Sequence, residues 1–144
     1  MRLKNNLLAL TIFVPLVLAA CSGQEGLRIT DAKMTTEIIK DTVNQTITPL
    51  EVLNVFPEGT QRVSCWFQWA DAPNNAEILA QWYFVNPEIH ILDSTFLITK
   101  NSGSGGIALT MPLGKKLPSG EYRLDLTTQG KILKSLTFKV GQET

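Results

Sequence analysis

The sequence is poor in the side chains that carry most protein chemistry. It has one histidine and two cysteines in 144 residues. A zinc centre needs three or four Cys, His or carboxylate ligands, and no Cys/His cluster is present to supply them. Charge of one sign is also lacking: Lys and Arg number 13 and Asp and Glu 13. With no basic block, nucleic-acid binding has no electrostatic support, nor has docking on anionic lipid through a polybasic patch. There is no G-x-S-x-G elbow, and no phosphate-binding or EF-hand calcium loop. No stretch keeps a helical repeat of apolar residues, and no segment is duplicated.

The strongest feature lies at the N-terminus. Arg2 and Lys4 precede an uncharged run, Leu7 to Leu18 (LLALTIFVPLVL), with Pro15 inside it. A membrane-spanning helix needs about 20 apolar residues. A basic head, a short apolar run and a small-residue exit fit a cleaved signal peptide better. The exit, Leu18-Ala19-Ala20-Cys21, resembles a bacterial lipobox. The resemblance implies cleavage between Ala20 and Cys21, a diacylglycerol thioether on the Cys21 sulfur, and often a further acyl chain such as palmitate on its amine. No cofactor is expected beyond that covalent lipid. Each buried methylene contributes about 0.8 kcal/mol, so several chains together hold far more firmly than one. The expected address is the bacterial cell envelope, lipid-anchored. Ser22, not Asp, follows the cysteine, which in a two-membrane host favours the periplasmic face of the outer membrane.

This divides the chain into a signal peptide (1–20), a lipidated cysteine with a short polar tether (21–26, ending SGQEG) and a domain (27–141). Loss of Arg2 and Lys4 leaves the mature chain mildly acidic. With Cys21 committed to lipid, Cys65 has no intrachain partner and is expected as a lone buried thiol in an apolar run.

From Leu27 the pattern is period-two alternation punctuated by turn residues, which indicates strands. Leu27–Thr36 is a first strand. Ile38-Ile39 suits either a helical turn or a strand, and 42–48 reads as a turn and a short edge segment. In Arg62–Trp69 (RVSCWFQW), Val63, Cys65, Phe67 and Trp69 share one face, Ser64, Trp66 and Gln68 the other. Glu77–Val85 alternates likewise. Ile89–Leu92 and Thr95–Thr99 read as two short strands broken at Asp93-Ser94. Asn101–Gly106 (NSGSGG) reads as a hairpin loop using positive φ, leading into Ile107–Met111. Glu121–Thr127 and Ile132–Val140 form a closing pair.

Seven or eight antiparallel strands with frequent turns predict an all-β sandwich. Cys65 in a B-like strand, Trp82 seventeen residues later in a C-like strand and Tyr122 at the start of an F-like strand (LPSGEYRLDL) resemble the core markers of an immunoglobulin-like or fibronectin-type domain. Leu124 stands where the second cysteine of an inter-sheet disulfide would be, so that bond is excluded. Tyr122 is expected to bury its ring and donate its hydroxyl to a backbone carbonyl.

Candidate sites are few. His90 reads as a surface or edge-strand residue. Glu77, Glu88, Asp93, Glu121 and Asp125 are scattered acids, two of which could meet as in a glycosidase. Trp66 and Tyr83 fall on the non-core faces of their strands. There they either form an outward pair for stacking on sugar or anchoring a partner, or lie under an N-terminal strand or the 42–57 segment. The leading expectation is a non-enzymatic envelope lipoprotein bound to the membrane by its lipid, with an envelope protein as partner and no nucleic acid. A glycan-binding module using Trp66 and Tyr83 is the alternative, and a small hydrolase a further one.

Overall fold

The computed structural model describes residues 26–141. The expected signal peptide, the Ala20–Cys21 cleavage site, the lipid attachment at Cys21 and all of the tether but Gly26 lie outside the described residues.

The described residues form ten strands: β1 (Arg28–Thr35), β2 (Ile38–Asp41), β3 (Thr46–Pro49), β4 (Val55–Phe56), β5 (Arg62–Ala70), β6 (Glu77–Phe84), β7 (Ile89–Leu97), β8 (Gly103–Thr110), β9 (Gly120–Thr128) and β10 (Lys131–Val140). They make a three-stranded sheet, β1-β5-β8, a five-stranded sheet, β4-β10-β9-β6-β7, and a separate hairpin, β2-β3. Eight strands thus build the sandwich, the upper end of the expected range, and the hairpin is additional. All pairings are antiparallel except that of the two-residue β4 with β10. With β5, β6, β7, β9 and β10 as strands B, C, C′, F and G, and β1 and β8 as A and E, the order is that of an immunoglobulin-like sandwich.

The core between the sheets follows from the alternation. Val63, Cys65, Phe67 and Trp69 of β5 face Ile78, Ala80 and Trp82 of β6 and Tyr122, Leu124 and Leu126 of β9, all buried in one cluster. Near the Tyr122 end, the tyrosine ring stacks on Phe138 at 5.1 Å, with Trp82 edge-on to Phe138 at 6.2 Å. Near the opposite end, Phe67, Trp69 and Phe96 meet edge to face or tilted. The Tyr122 hydroxyl donates to the Pro118 carbonyl at 2.5 Å, so the predicted tyrosine contact is present and pins the approach to β9. Cys65 is a buried free thiol, as expected, and burial pushes its pKa up to about 12.

Two local expectations are corrected. β7 is continuous: Asp93 and Ser94 pair with Gln81 and Ala80. Asp93 is tolerated in mid-strand because β7 is an edge strand and the carboxylate points outward to His90. The glycine-rich stretch is strand as well, with Gly103, Gly105 and Gly106 paired to Trp69, Phe67 and Trp66. None of the three has positive φ. They are glycine because bulky groups press on them from both sides. A Cβ at Gly103 would sit 2.8 Å from the Trp69 indole and one at Gly105 2.5 Å from Phe96, while one at Gly106 would collide with Ile38.

The contact with Ile38 shows where the β2-β3 hairpin lies. It packs over the outer face of the three-stranded sheet, on a bed of small residues that includes Gly106, Ala108 and Ser64. Its turn is held by the Asp41 carboxylate, which accepts from the backbone N–H of Val43 and Asn44 and from the Asn44 side chain. Those bonds, chiefly from Asn44, lower the Asp41 pKa.

Candidate functional site

The main concentration of polar chemistry lies on the outer face of the five-stranded sheet, which no strand covers among the described residues. Cross-strand register assembles it. Tyr83 on β6 lies opposite Arg123 on β9 and His90 on β7, and Asp125 on β9 lies opposite Ser135 on β10. Outward positions of β9 are Glu121, Arg123 and Asp125, a charge at every second residue.

The side chains join into one row. The Arg123 guanidinium lies 4.5 Å above the centre of the Tyr83 ring, a cation–π arrangement. Its Nη2 donates to Glu88 Oε1 at 3.0 Å and its Nε to Asp125 Oδ2 at 3.1 Å. Ser135 Oγ donates to Asp125 Oδ1 at 2.5 Å. Beyond Tyr83, the His90 ring sits edge-on at 5.4 Å and bonds Asp93 Oδ1 through Nε2 at 2.6 Å. Glu88 above all, with help from Asp125, raises the Arg123 pKa and holds the guanidinium charged.

This row is internally satisfied. Glu88 and Asp125, two of the scattered acids, are brought together by sharing Arg123, so they do not form a free acid–base pair. Glu77 and Glu121 lie at opposite ends of the sheet. His90 is exposed on the edge strand, where the sequence placed it, and its hydrogen bond is to Asp93. Among the described residues, no three His, Cys, Asp or Glu side chains gather as metal ligands. A pre-ordered ridge of alternating charge beside an aromatic ring is suited to matching the polar surface of a partner.

The Trp66–Tyr83 pair is not formed, which corrects the outward-pair expectation. β5 and β6 belong to different sheets, so the two rings sit on opposite outer faces of the sandwich. Trp66 is only 7% exposed: the β2-β3 hairpin covers it, and its Nε1 donates to the Ile47 carbonyl at 2.6 Å. For Trp66 alone this is the covered alternative, the cover being the 38–49 hairpin, whose β3 arm falls in the 42–57 segment. Tyr83 is half-buried, with one ring face taken by Arg123. The Arg123 cluster went unrecognised as a site in the sequence; its signal was the charged alternation of β9.

No family model matches the chain, and no curated protein does. Solved structures of similar shape include an immunoglobulin-like protein from Pseudomonas aeruginosa, with 12% identity over 82% of this chain and 98% of that one and a TM-score of 0.48. The Pseudomonas fluorescens alkylpurine DNA glycosylase AlkC, bound to DNA containing an abasic site analog, shares 13% identity over 81% of this chain but only 30% of its own, with a TM-score of 0.48. A Niemann-Pick type C2 protein from Japanese carpenter ant shares 9% identity over 83% of this chain and 94% of that one, with a TM-score of 0.43. At these identities and scores the likenesses carry no argument about what this chain binds. The class of the protein, an immunoglobulin-like β-sandwich, rests on its own strand order.

Proposed function

We propose that the chain is a cell-envelope lipoprotein, anchored through acylated Cys21, whose single sandwich is a non-enzymatic protein-interaction module. In a two-membrane host its place is the periplasmic face of the outer membrane. The observation that carries the reading is the juxtaposition of the lipobox with the domain: β1 begins at Arg28, seven residues after Cys21. A sandwich that starts so close to an acylated cysteine is held at the bilayer surface. The interaction face is the open side of the five-stranded sheet, centred on Tyr83, Arg123 and Glu88.

Metabolic labelling with palmitate tests the anchor. Label is expected in the wild-type chain and absent from Cys21→Ser, which should also accumulate uncut; normal processing of the variant would refute the reading. Photo-crosslinking in cells tests the face. A crosslinker at position 83 should capture a discrete partner that the same group at Gln68, on the opposite sheet, does not.

A further inference from the structure

The two ends of the sandwich differ, and the chain comes in at only one of them. Gly26 and the start of β1 lie at the end formed by the 71–76, 98–102 and 129–130 connections, because β5 finishes there while β6, β8 and β10 begin. We infer that this end is a bilayer-resting surface, seated on anionic lipid by Leu97, Ile132, Lys100 and Lys131; the inference rests on the proposed anchoring at Cys21.

Three observations carry it. The first is reach. The stretch from Cys21 to Gly26 spans at most about 17 Å even when fully extended, so the end bearing Gly26 stays within that distance of the acylated residue. The second is apolar exposure. Leu97 and Ile132 are 64% and 57% exposed at this end; the far end exposes Leu50, Val52, Val55 and Leu113 as well, so it is reach that selects between the two. They stand on β7 and β10, which lie three strand spacings apart in the sheet, about 14 Å. Between them runs a groove with Leu27, Leu79 and Leu133 among its lining residues, along with Thr95, Thr127 and Lys131. On the same sheet, the half farther from Gly26 carries the charged row instead. The third is charge. Lys100 and Lys131 are exposed beside the two aliphatic side chains. Asp71, an acid of this end, is engaged by Arg28 at 2.7 Å, and Glu77 is the other acid here among the described residues. The far end carries Arg62, Lys115, Lys116 and Lys139, but alongside Glu37, Glu51, Glu58 and Glu121. Aliphatic side chains flanked by lysines match the boundary between acyl chains and anionic headgroups.

The test uses the full lipidated chain in vesicles of phosphatidylcholine and phosphatidylglycerol containing nitroxide-labelled lipid. A fluorophore is attached at Leu97→Cys, at Ile132→Cys or, as the far-end reference, at Leu113→Cys. Buried Cys65 stays unlabelled, since none of its side chain reaches solvent. Quenching several-fold stronger at 97 and 132 than at 113 is expected, with the difference reduced by Lys100→Glu combined with Lys131→Glu. A chain that floats with the vesicles but is quenched equally at all three positions overturns the orientation alone. A chain that fails to float overturns the anchor and the orientation together. Labels at 97 and 132 that are unquenched by lipid, yet shielded by an unlabelled second copy, would assign this end to self-association and overturn the lipid assignment.

Discussion

The two outer faces of the sandwich start from the same strand alternation and end differently. On the three-stranded sheet the outward side chains include the small or aromatic Ser64, Trp66, Gly106 and Ala108. A hairpin inserted after β1 has folded over them and buried Trp66. On the five-stranded sheet the outward side chains include Tyr83, Arg123, Asp125 and His90, and they pair with one another. Small residues let a second layer approach closely, while charged residues would lose hydration beneath one. The character of an outward face therefore decides whether it becomes a further core or a surface, and only the second kind is available for recognition.

The largest expected effect strikes the core that both faces share. The thiol of Cys65 and the phenol of Tyr122 ordinarily ionise near 9 and 10, whereas burial pushes both to about 12. The unfolded chain thus loses these protons at lower pH than the folded one. Their contribution is complete below about pH 9 and is lost as pH rises towards 12. Thermal unfolding followed by circular dichroism should show the midpoint falling steeply over that window, with Cys65→Ala softening its first part. Next comes the covered face. Trp66→Ala should cost about 3 kcal/mol in urea unfolding and expose the 42–45 turn to protease. A loss no greater than that from Tyr83→Ala would erase the distinction between the faces. Gly106→Ala drives a methyl group into Ile38 and should cost about 1–3 kcal/mol, relieved in part when Ile38 is shortened to Val. The smallest effect belongs to the open face. Arg123→Gln should change stability by about 1 kcal/mol or less, diminishing with added salt, while abolishing any crosslink formed from position 83.

Much of the architecture was legible because the core strands alternate cleanly. Every second residue of Val63–Trp69, Ile78–Trp82 and Tyr122–Leu126 faces inward as the pattern requires, and Tyr122 finds its carbonyl. The misreadings have a common cause: local residue chemistry serves distant packing. Glycines 103, 105 and 106 resemble a loop in one dimension, but they are strand residues made small by Trp69, Phe96 and Ile38, partners remote in sequence. Asp93-Ser94 resembles a break and is instead an edge-strand position with its carboxylate on His90. Trp66 and Tyr83 stand on consecutive strands and resemble neighbours in one dimension, whereas the fold sends β5 and β6 to opposite sheets. The charged alternation of β9 marks one strand of the Arg123 row, but the partners that complete it depend on register across four strands.

The antiparallel pairing of β1 with β5 has a mechanical consequence. It runs from Arg28 opposite Ala70 to Thr35 opposite Ser64, so β1 lies lengthwise along its neighbour with its first residue nearest Gly26. A pull transmitted through the residues before Gly26 is directed along β1, not across it. Such a load is shared at once by the whole ladder of backbone hydrogen bonds, in shear. The same bonds loaded from one corner would open one after another. The geometry thus resists a pull along β1 better than one across it.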